Sequence, residues 1–225
     1  MSYRRTPFAP GEWYHCYTRG VEKMTTFKNK QDYERFTEAL YICNGTKNVN
    51  RGDFKNLSHA EILTFPRQAP LVAVGAYCLM PNHFHLLLKE IVEGGISKFM
   101  QRVGTSYSMH FNIKYVHTGG VFVGPFRSKH IANDQYLRKI VPYIHLNPVE
   151  IFEPGWKTGK VRNYRAIEKC LKEYAYSSLP AYIDNARPEH ALLDRKEIDS
   201  LLKVAMPPLK KLIPEALEYY ADLPA

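Results

Sequence analysis

Hydrophobic and polar residues follow two different spacings along the chain, and the spacing predicts which segments are strands and which are helices. Four segments rich in apolar, aromatic or β-branched residues end at turn-forming residues and are predicted as strands: residues 13–18, 71–79, 83–89 and 126–131. Three longer segments carry apolar residues at helical spacing and are predicted as helices: residues 31–44, 96–115 and 135–147. Asp134 is expected to be the N-cap of the last one.

The order of these elements is β-α-β-β-α-β followed by a further helix, which is the ferredoxin-like arrangement. The predicted fold class is therefore α+β, with a four-stranded antiparallel sheet and helices on one face, as in RRM-like domains. A tight turn at Pro81-Asn82 makes the second and third strands a hairpin. Residues 1–183 are assigned to this domain. Residues 184–225 are assigned to a C-terminal helical tail, with a helix from 193 to 204.

The net charge of the chain indicates which class of partner it binds. The 225 residues contain 31 Lys and Arg against 22 Asp and Glu, a formal net charge of +9, which favours a polyanionic partner such as nucleic acid. The alternative is a generically basic surface. The four cysteines form no Cys-x-x-Cys pair and are expected to be buried thiols in a reducing compartment. No apolar window is long enough for a membrane span, so a cytoplasmic, nucleoid-associated location is expected.

Two histidines one residue apart, His83 and His85, are the first candidates for chemistry. On a strand their side chains project from the same face, whereas Phe84 points to the opposite one. Two imidazoles about 7 Å apart can bind one divalent ion. The alternative is a pair of imidazoles held by ordinary hydrogen bonds at the start of a strand.

Tyr143 and Asn147 are the second pair of candidates. Four residues apart on a helix, they lie on one face, and packing of that helix beside the histidine strand would let Asn147 complete a three-ligand metal site. Pro142 predicts a kink in this helix. The alternatives are an aromatic packing role for Tyr143 and a helix-terminating role for Asn147, which precedes a proline. His145 lies on a different face and is expected to be structural.

Four short motifs resemble a known family, the single-tyrosine transposases of the His-hydrophobic-His (HUH) nuclease superfamily, and within it the IS200-like, repeat-associated branch. The matching segments are residues 80–88 (MPNHFHLLL), 126–129 (FRSK), 143–149 (YIHLNPV) and 174–178 (YAYSS). They occur in the family's order, and the resemblance covers about residues 13–182. Glu150 departs from the pattern, because a basic residue is expected after Val149.

The resemblance implies an enzyme that cuts one DNA strand and rejoins it elsewhere, the chemistry of DNA transposition and recombination. His83 and His85, with Asn147 as the third ligand, would bind Mg²⁺ or Mn²⁺, and Tyr143 would attack the phosphodiester. The products would be a 5′-phosphotyrosine link and a free 3′-hydroxyl. Single-stranded or hairpin DNA is the implied partner. Both a monomer and a homodimer that swaps the tyrosine helix are compatible with the family.

Seven basic residues fall near the ends of predicted elements and are candidates for phosphate contacts: Arg19, Arg102, Lys114, Arg127, Lys129, Arg138 and Lys139. Three aromatic residues of the second helix, Tyr107, Phe111 and Tyr115, have a spacing that favours core packing over base stacking. Two other functions stay open from the sequence: a catalytically inactive, domesticated protein that binds repeat DNA, and an RNA-binding module.

Overall fold

The computed structural model describes residues 7–47, 51–158, 161–198, 211–213 and 216. Four strands form one antiparallel sheet in the order β2-β3-β1-β4: β1 (Trp13–Arg19), β2 (Val72–Met80), β3 (His83–Glu90) and β4 (Arg127–Ile131). This order is that of the ferredoxin-like fold, so the predicted α+β class is confirmed. Pro81 and Asn82 form the turn of the β2–β3 hairpin, as predicted.

Eight α-helices lie among the described residues: α1 (Lys30–Ile42), α2 (His59–Thr64), α3 (Gly95–Tyr115), α4 (Asp134–Leu146), α5 (Val149–Phe152), α6 (Tyr164–Glu173), α7 (Leu179–Ile183) and α8 (Arg195–Ile198). None of these described helices is long and apolar enough to span a bilayer. The N-cap of α4 is Asn133, whose side chain accepts a hydrogen bond from the Tyr136 amide, and not Asp134 as predicted. Helix α4 continues through Pro142.

Helices cover both faces of the sheet, so the prediction of helices on one face is wrong. Side chains of α1 and α3 pack in one core cluster with Phe84 and Leu86, whereas those of α4 pack in another with Trp13 and Leu87. The physical reason is the composition of the strands. Every residue of β2 is buried, and a strand that is apolar on both sides needs a helix on each.

The strand register decides which side chains share the α4 face. Trp13 of β1 and Leu87 of β3 lie in the same core cluster as the side chains of α4, and side chains two residues apart on a strand lie on one face. His15 and Tyr17 therefore lie on the α4 face of β1, and His83 and His85 lie on the same face of β3. On the opposite face, Tyr107 and Phe111 of α3 are buried in the core, as predicted.

The chain beyond α5 covers the edge strand β2. The Leu79 amide donates to the Tyr176 carbonyl at 2.9 Å, and the Ser178 amide donates to the Tyr77 carbonyl at 2.9 Å. Farther along, Ile198 of α8 packs in the α4-side core. This described part of the tail is docked on the sheet, and the domain boundary at residue 183 stays a prediction. The predicted helix at 193–204 is seen as α8, and its second half lies outside the described residues.

All four cysteines are free thiols, and their burial matches the prediction in part. Cys16 and Cys78 are fully buried in the two cores, whereas Cys43 and Cys170 are only partly buried.

The carboxylate of Asp32 connects the N-terminus of α1 to the C-terminal end of α3. It accepts hydrogen bonds from the Lys28 amide at 2.8 Å, the Tyr115 hydroxyl at 2.7 Å and the Lys114 ammonium at 2.7 Å. Burial alone would raise the pKa of Asp32, but these hydrogen bonds outweigh it, and the net result is a lowered pKa. Lys114 is consequently engaged in a buried ion pair.

Replacing Asp32 with alanine is expected to lower the free energy of unfolding by about 3 kcal/mol, because it leaves Lys114 and two other donors without their acceptor. The matched control on the same helix is Glu34→Ala, which removes an exposed ion pair with Lys30 and should cost less than about 1 kcal/mol. Urea unfolding of both variants measures the difference. Equal losses in the two variants would contradict the assigned role of Asp32.

Candidate functional site

His83 and His85 lie side by side on β3, as the sequence predicted. Their ring centroids are 5.2 Å apart, with the ring planes nearly perpendicular at 87°. The Nδ1 atom of His83 is hydrogen-bonded to the Asn82 side-chain oxygen at 2.7 Å. The Nδ1 atom of His85 is hydrogen-bonded to Nε2 of His15 at 2.9 Å. In both rings the Nε2 atom is therefore the nitrogen left to contact a ligand.

Tyr143 packs on His85 and on His15, because α4 crosses the face of the sheet that carries the histidines. Its ring centroid lies 5.8 Å from that of His85 and 5.6 Å from that of His15, with the planes at 88° and 74°. The side chain is 1% exposed. The structure thus meets the packing condition on which the sequence argument depended, and a nucleophile role for Tyr143 stays a prediction.

Asn147 ends α4 one turn after Tyr143. Its side-chain amide nitrogen donates to the carbonyls of Tyr143 at 3.1 Å and Ile144 at 3.3 Å, and the residue is the C-cap of the helix. The helix-terminating role is therefore confirmed. The amide nitrogen is turned back to the helix, and the side-chain oxygen is the atom that a cation would use. A ligand role for Asn147 stays a prediction.

His145 has the structural role that its position predicted. The ring is buried, and its Nε2 atom is hydrogen-bonded to the Ser178 hydroxyl at 2.7 Å. The same hydroxyl oxygen accepts from the Tyr77 amide at 2.9 Å. His145 therefore ties α4 to the segment that covers the edge strand β2.

Two residues of β1 also contact His85, and the sequence analysis did not identify them. His15 is fully buried, and Tyr17 is half-buried and stacks on both His15 at 4.9 Å and His85 at 5.8 Å between ring centroids. The available signal was a histidine inside an otherwise apolar strand. Its meaning depends on the pairing of Tyr17 with His85 in the sheet, which the local sequence does not reveal.

Burial and nearby cations keep the imidazoles neutral. Burial lowers the pKa of His83 to about 4 and that of His85 well below its ordinary value, and the Lys157 ammonium acts in the same direction on both. Burial and Lys129 together lower the pKa of His15 to about 3. A neutral imidazole has a free lone pair, which is the form that binds a metal ion.

The donor set fits a divalent ion only in part. His83 and His85 offer two Nε2 atoms, which suit Mn²⁺ and, less well, Mg²⁺. Among the residues that the structure describes, no three His, Cys, Asp or Glu side chains form a cluster that could hold a metal alone. Further ligands would have to be oxygens of an amide, of water or of a bound phosphate, which agrees with a site left open for substrate.

The seven predicted DNA-contacting residues separate into two groups in the structure. Arg19, Arg127 and Lys129 belong to the same strand face as the histidines, and Arg138 and Lys139 lie on α4. By contrast, α3 places Arg102 and Lys114 across the sheet. There Arg102 donates to the Gly45 carbonyl at 2.6 Å, and Lys114 pairs with Asp32. Contact of all seven with DNA stays a prediction.

Lys157 is a further cation near the histidines that the sequence did not single out. It follows the short α5 helix and pairs with Glu150 at 3.3 Å. Glu150, the residue that departs from the family motif, is thus matched by a basic partner seven residues later. Both side chains are well exposed, so a phosphate group would be free to compete for Lys157.

The neutral histidines predict that the metal-free protein loses stability in mild acid. Four of them have a pKa below about 6.5 in the folded state: His15, His83, His85 and His145. The unfolded chain binds protons on these rings below about pH 6.5 and the folded chain does not, so the stabilisation present above that pH is lost as the pH falls. The loss is up to about 1.4 kcal/mol per pH unit for each histidine.

Urea unfolding in EDTA at about pH 6.5 and about pH 5.5 measures this loss. In that window the raised pKa of His59, about 9, adds nothing to the change, because its stabilisation is fully present below about pH 6.5. The variant His145→Gln removes one titrating ring and should show a smaller loss than the wild type. An unfolding free energy that is equal at the two pH values would contradict the neutral state of these rings.

The comparison with known proteins agrees with the motifs. A family model described as IS200-like transposase matches residues 52–147, a stretch that includes His83, His85, Tyr143 and Asn147 and excludes β1. A solved structure of a REP-associated tyrosine transposase bound to a REP hairpin is similar in fold, with a TM-score of 0.53 and 17% sequence identity. The match covers 83% of this chain and 87% of that chain. No curated protein matches the sequence. The family resemblance predicted from the motifs is thereby confirmed over residues 52–147, and the solved structure shares the fold.

Proposed function

We propose that the protein is a metal-dependent endonuclease and strand transferase that cuts single-stranded DNA through a covalent 5′-phosphotyrosine intermediate on Tyr143. The observation that carries this proposal is the packing of the Tyr143 ring against His85, inside the stretch that matches the transposase family. Hairpin DNA is the proposed substrate, because the structural relative is a transposase bound to a hairpin. If its target is chromosomal DNA, the protein would be associated with the nucleoid.

The proposed chemistry divides the work between the histidines and the tyrosine. His83 and His85 would hold Mg²⁺ or Mn²⁺ through Nε2, with the Asn147 oxygen as third ligand. Such an ion polarises a phosphoryl oxygen and neutralises developing charge. The Tyr143 hydroxyl would lose its proton to water, and its oxygen would form a bond to phosphorus as the bond from phosphorus to the 3′-oxygen breaks. The departing 3′-oxygen would take up a proton from water and leave as a 3′-hydroxyl.

The tyrosine link conserves the free energy of the phosphodiester bond. The 3′-hydroxyl of the same or another strand can therefore attack the phosphotyrosine and release Tyr143 without ATP. Tyr143 packs on His85 of the same chain. This contact supports a protein that acts as a monomer rather than as a homodimer with swapped tyrosine helices.

The test is incubation of the purified protein with 5′-labelled and 3′-labelled hairpin DNA from beside its own gene, with Mn²⁺, followed by denaturing electrophoresis. A strand cut once, whose 5′-terminal fragment runs free and whose 3′-terminal fragment stays attached to protein, is the expected result. Tight hairpin binding without any cut strand, with Mn²⁺ or Mg²⁺, would contradict catalysis and favour the inactive repeat-binding protein. Preference for RNA over hairpin DNA would contradict the substrate class.

Arg127 offers a test of the proposed DNA surface. Its exposed side chain lies on the strand face of the histidines and is hydrogen-bonded to Tyr17. Arg127→Ala is expected to weaken hairpin binding and to reduce the slope of log affinity against log salt by about 1, the value for one lost phosphate contact.

The matched control removes an equal charge from the other side of the sheet. Lys98 is exposed on α3, and Lys98→Ala should leave both the affinity and the salt slope near the wild-type values. Fluorescence anisotropy over a series of salt concentrations measures both variants. Equal effects of the two substitutions would contradict a DNA surface on the histidine side.

A further inference from the structure

His15 lies outside the stretch matched by the family model, yet its side chain is hydrogen-bonded directly to a histidine of the site. Its Nε2 atom is 2.9 Å from Nδ1 of His85, and the two rings stack with centroids 5.1 Å apart and planes 19° apart. The His15 side chain is completely buried. A contact between two imidazole nitrogens at this distance is a hydrogen bond, so one nitrogen carries a proton and the other offers a lone pair.

We propose that His15 is a positioning residue that accepts the hydrogen bond from Nδ1–H of His85 and so fixes the tautomer in which His85 Nε2 is free to bind a metal ion. The part that concerns metal rests on the proposed function. The tautomer itself is a property of the metal-free chain and is measured independently.

The geometry restricts His85 to two arrangements. In the first, His85 donates from Nδ1 and its Nε2 lone pair is free. In the second, His15 donates from Nε2, which forces the proton of neutral His85 onto its own Nε2 and closes the only nitrogen that faces away from β1. Only the first arrangement makes His85 a ligand. Metal-binding histidines generally donate their other ring N–H to a nearby acceptor.

The neighbours of His15 hold its ring in place for this hydrogen bond. The ring is held between Tyr17, which stacks on it, and Tyr143, which packs against it edge-on, so its orientation is fixed on two sides. His83 has an equivalent arrangement, because its Nδ1 contacts the Asn82 side-chain oxygen, which can only accept. Both histidines of the pair then present Nε2 and use Nδ1 as a donor.

The first experiment is long-range ¹H–¹⁵N NMR of the metal-free, full-length protein with the His85 ring nitrogens assigned. The expected result is a proton on Nδ1 and a bare Nε2. In His15→Leu, which removes the acceptor, the proton should shift towards Nε2. In His15→Gln, whose side-chain oxygen can accept at about the former position of Nε2, the wild-type tautomer should be retained.

The second experiment is titration of Mn²⁺ without DNA, followed by electron paramagnetic resonance. His15→Leu is expected to bind Mn²⁺ about 10- to 100-fold more weakly than the wild type, and His15→Gln within about threefold of it. His130→Leu is the control, because His130 is an exposed histidine that contacts Glu12 on the other side of the sheet. It should bind Mn²⁺ as the wild type does.

A proton on Nε2 of His85 in the wild type would overturn the proposal, as would equal Mn²⁺ affinities in His15→Leu and His15→Gln. If His15→Leu does not fold, the proposal is tested by the tautomer of His85 in the wild type and by the Mn²⁺ affinity of His15→Gln. A wild type that carries the proton on Nδ1 but binds no Mn²⁺ would contradict the proposed function and support the hydrogen bond assigned to His15. The two failures are thus distinguishable.

Discussion

Tyr143→Phe is expected to abolish the covalent protein–DNA product and strand cleavage, with a fall of at least about 1000-fold in cleavage rate, while hairpin binding is preserved. The substitution removes one oxygen, the proposed nucleophile. The aromatic ring remains, so the contacts with His15 and His85 that hold the side chain in the site are retained. Loss of activity would therefore report on chemistry and not on packing.

The measurement is the same labelled-hairpin cleavage assay, combined with fluorescence anisotropy for binding and thermal unfolding for stability. Tyr164→Phe is the matched control, because Tyr164 begins α6 and packs outside the histidine cluster. It should form the covalent product at the wild-type rate. Covalent product at a comparable rate in Tyr143→Phe would show that another residue is the nucleophile.

His83→Ala and His85→Ala are expected to weaken Mn²⁺ binding by at least about 100-fold and to stop cleavage, because each removes one of two nitrogen ligands. The two variants should differ in stability. His83 is only half-buried, whereas the loss of the buried His85 ring leaves a cavity beside Tyr143 and takes away the partner of His15. The cost of His85→Ala is expected to be about 2 to 4 kcal/mol.

His83→Ala is therefore the cleaner of the two tests. Mn²⁺ titration by electron paramagnetic resonance and cleavage at several Mn²⁺ concentrations should both show the loss, with His130→Ala as the control that keeps full activity. High Mn²⁺ should restore part of the cleavage if binding alone is weakened. Unchanged Mn²⁺ affinity in His83→Ala would remove this residue from the metal site and leave the buried imidazoles with a packing role.

Local patterns in the sequence determined the fold class and most of the elements. The strand alternation around Phe84 correctly put His83 and His85 on one face, and the spacing of four residues put Tyr143 and Asn147 on one side of a helix. Both inferences succeed because a side chain's direction within one strand or helix depends only on positions a few residues apart. The four motifs, taken together, indicated the family whose model matches residues 52–147.

The tertiary structure decided everything that depends on residues distant in the chain. The pairing of β1 with β3 brings His15 onto His85 across 70 positions, and the packing of α4 on the second face of the sheet brings Tyr143 to both. Lys114 is separated from the histidines because α3 packs on the opposite face of the sheet, where Lys114 pairs with the buried carboxylate of Asp32. Strand register and the choice of face are settled by how the whole core is filled, and no single segment encodes them.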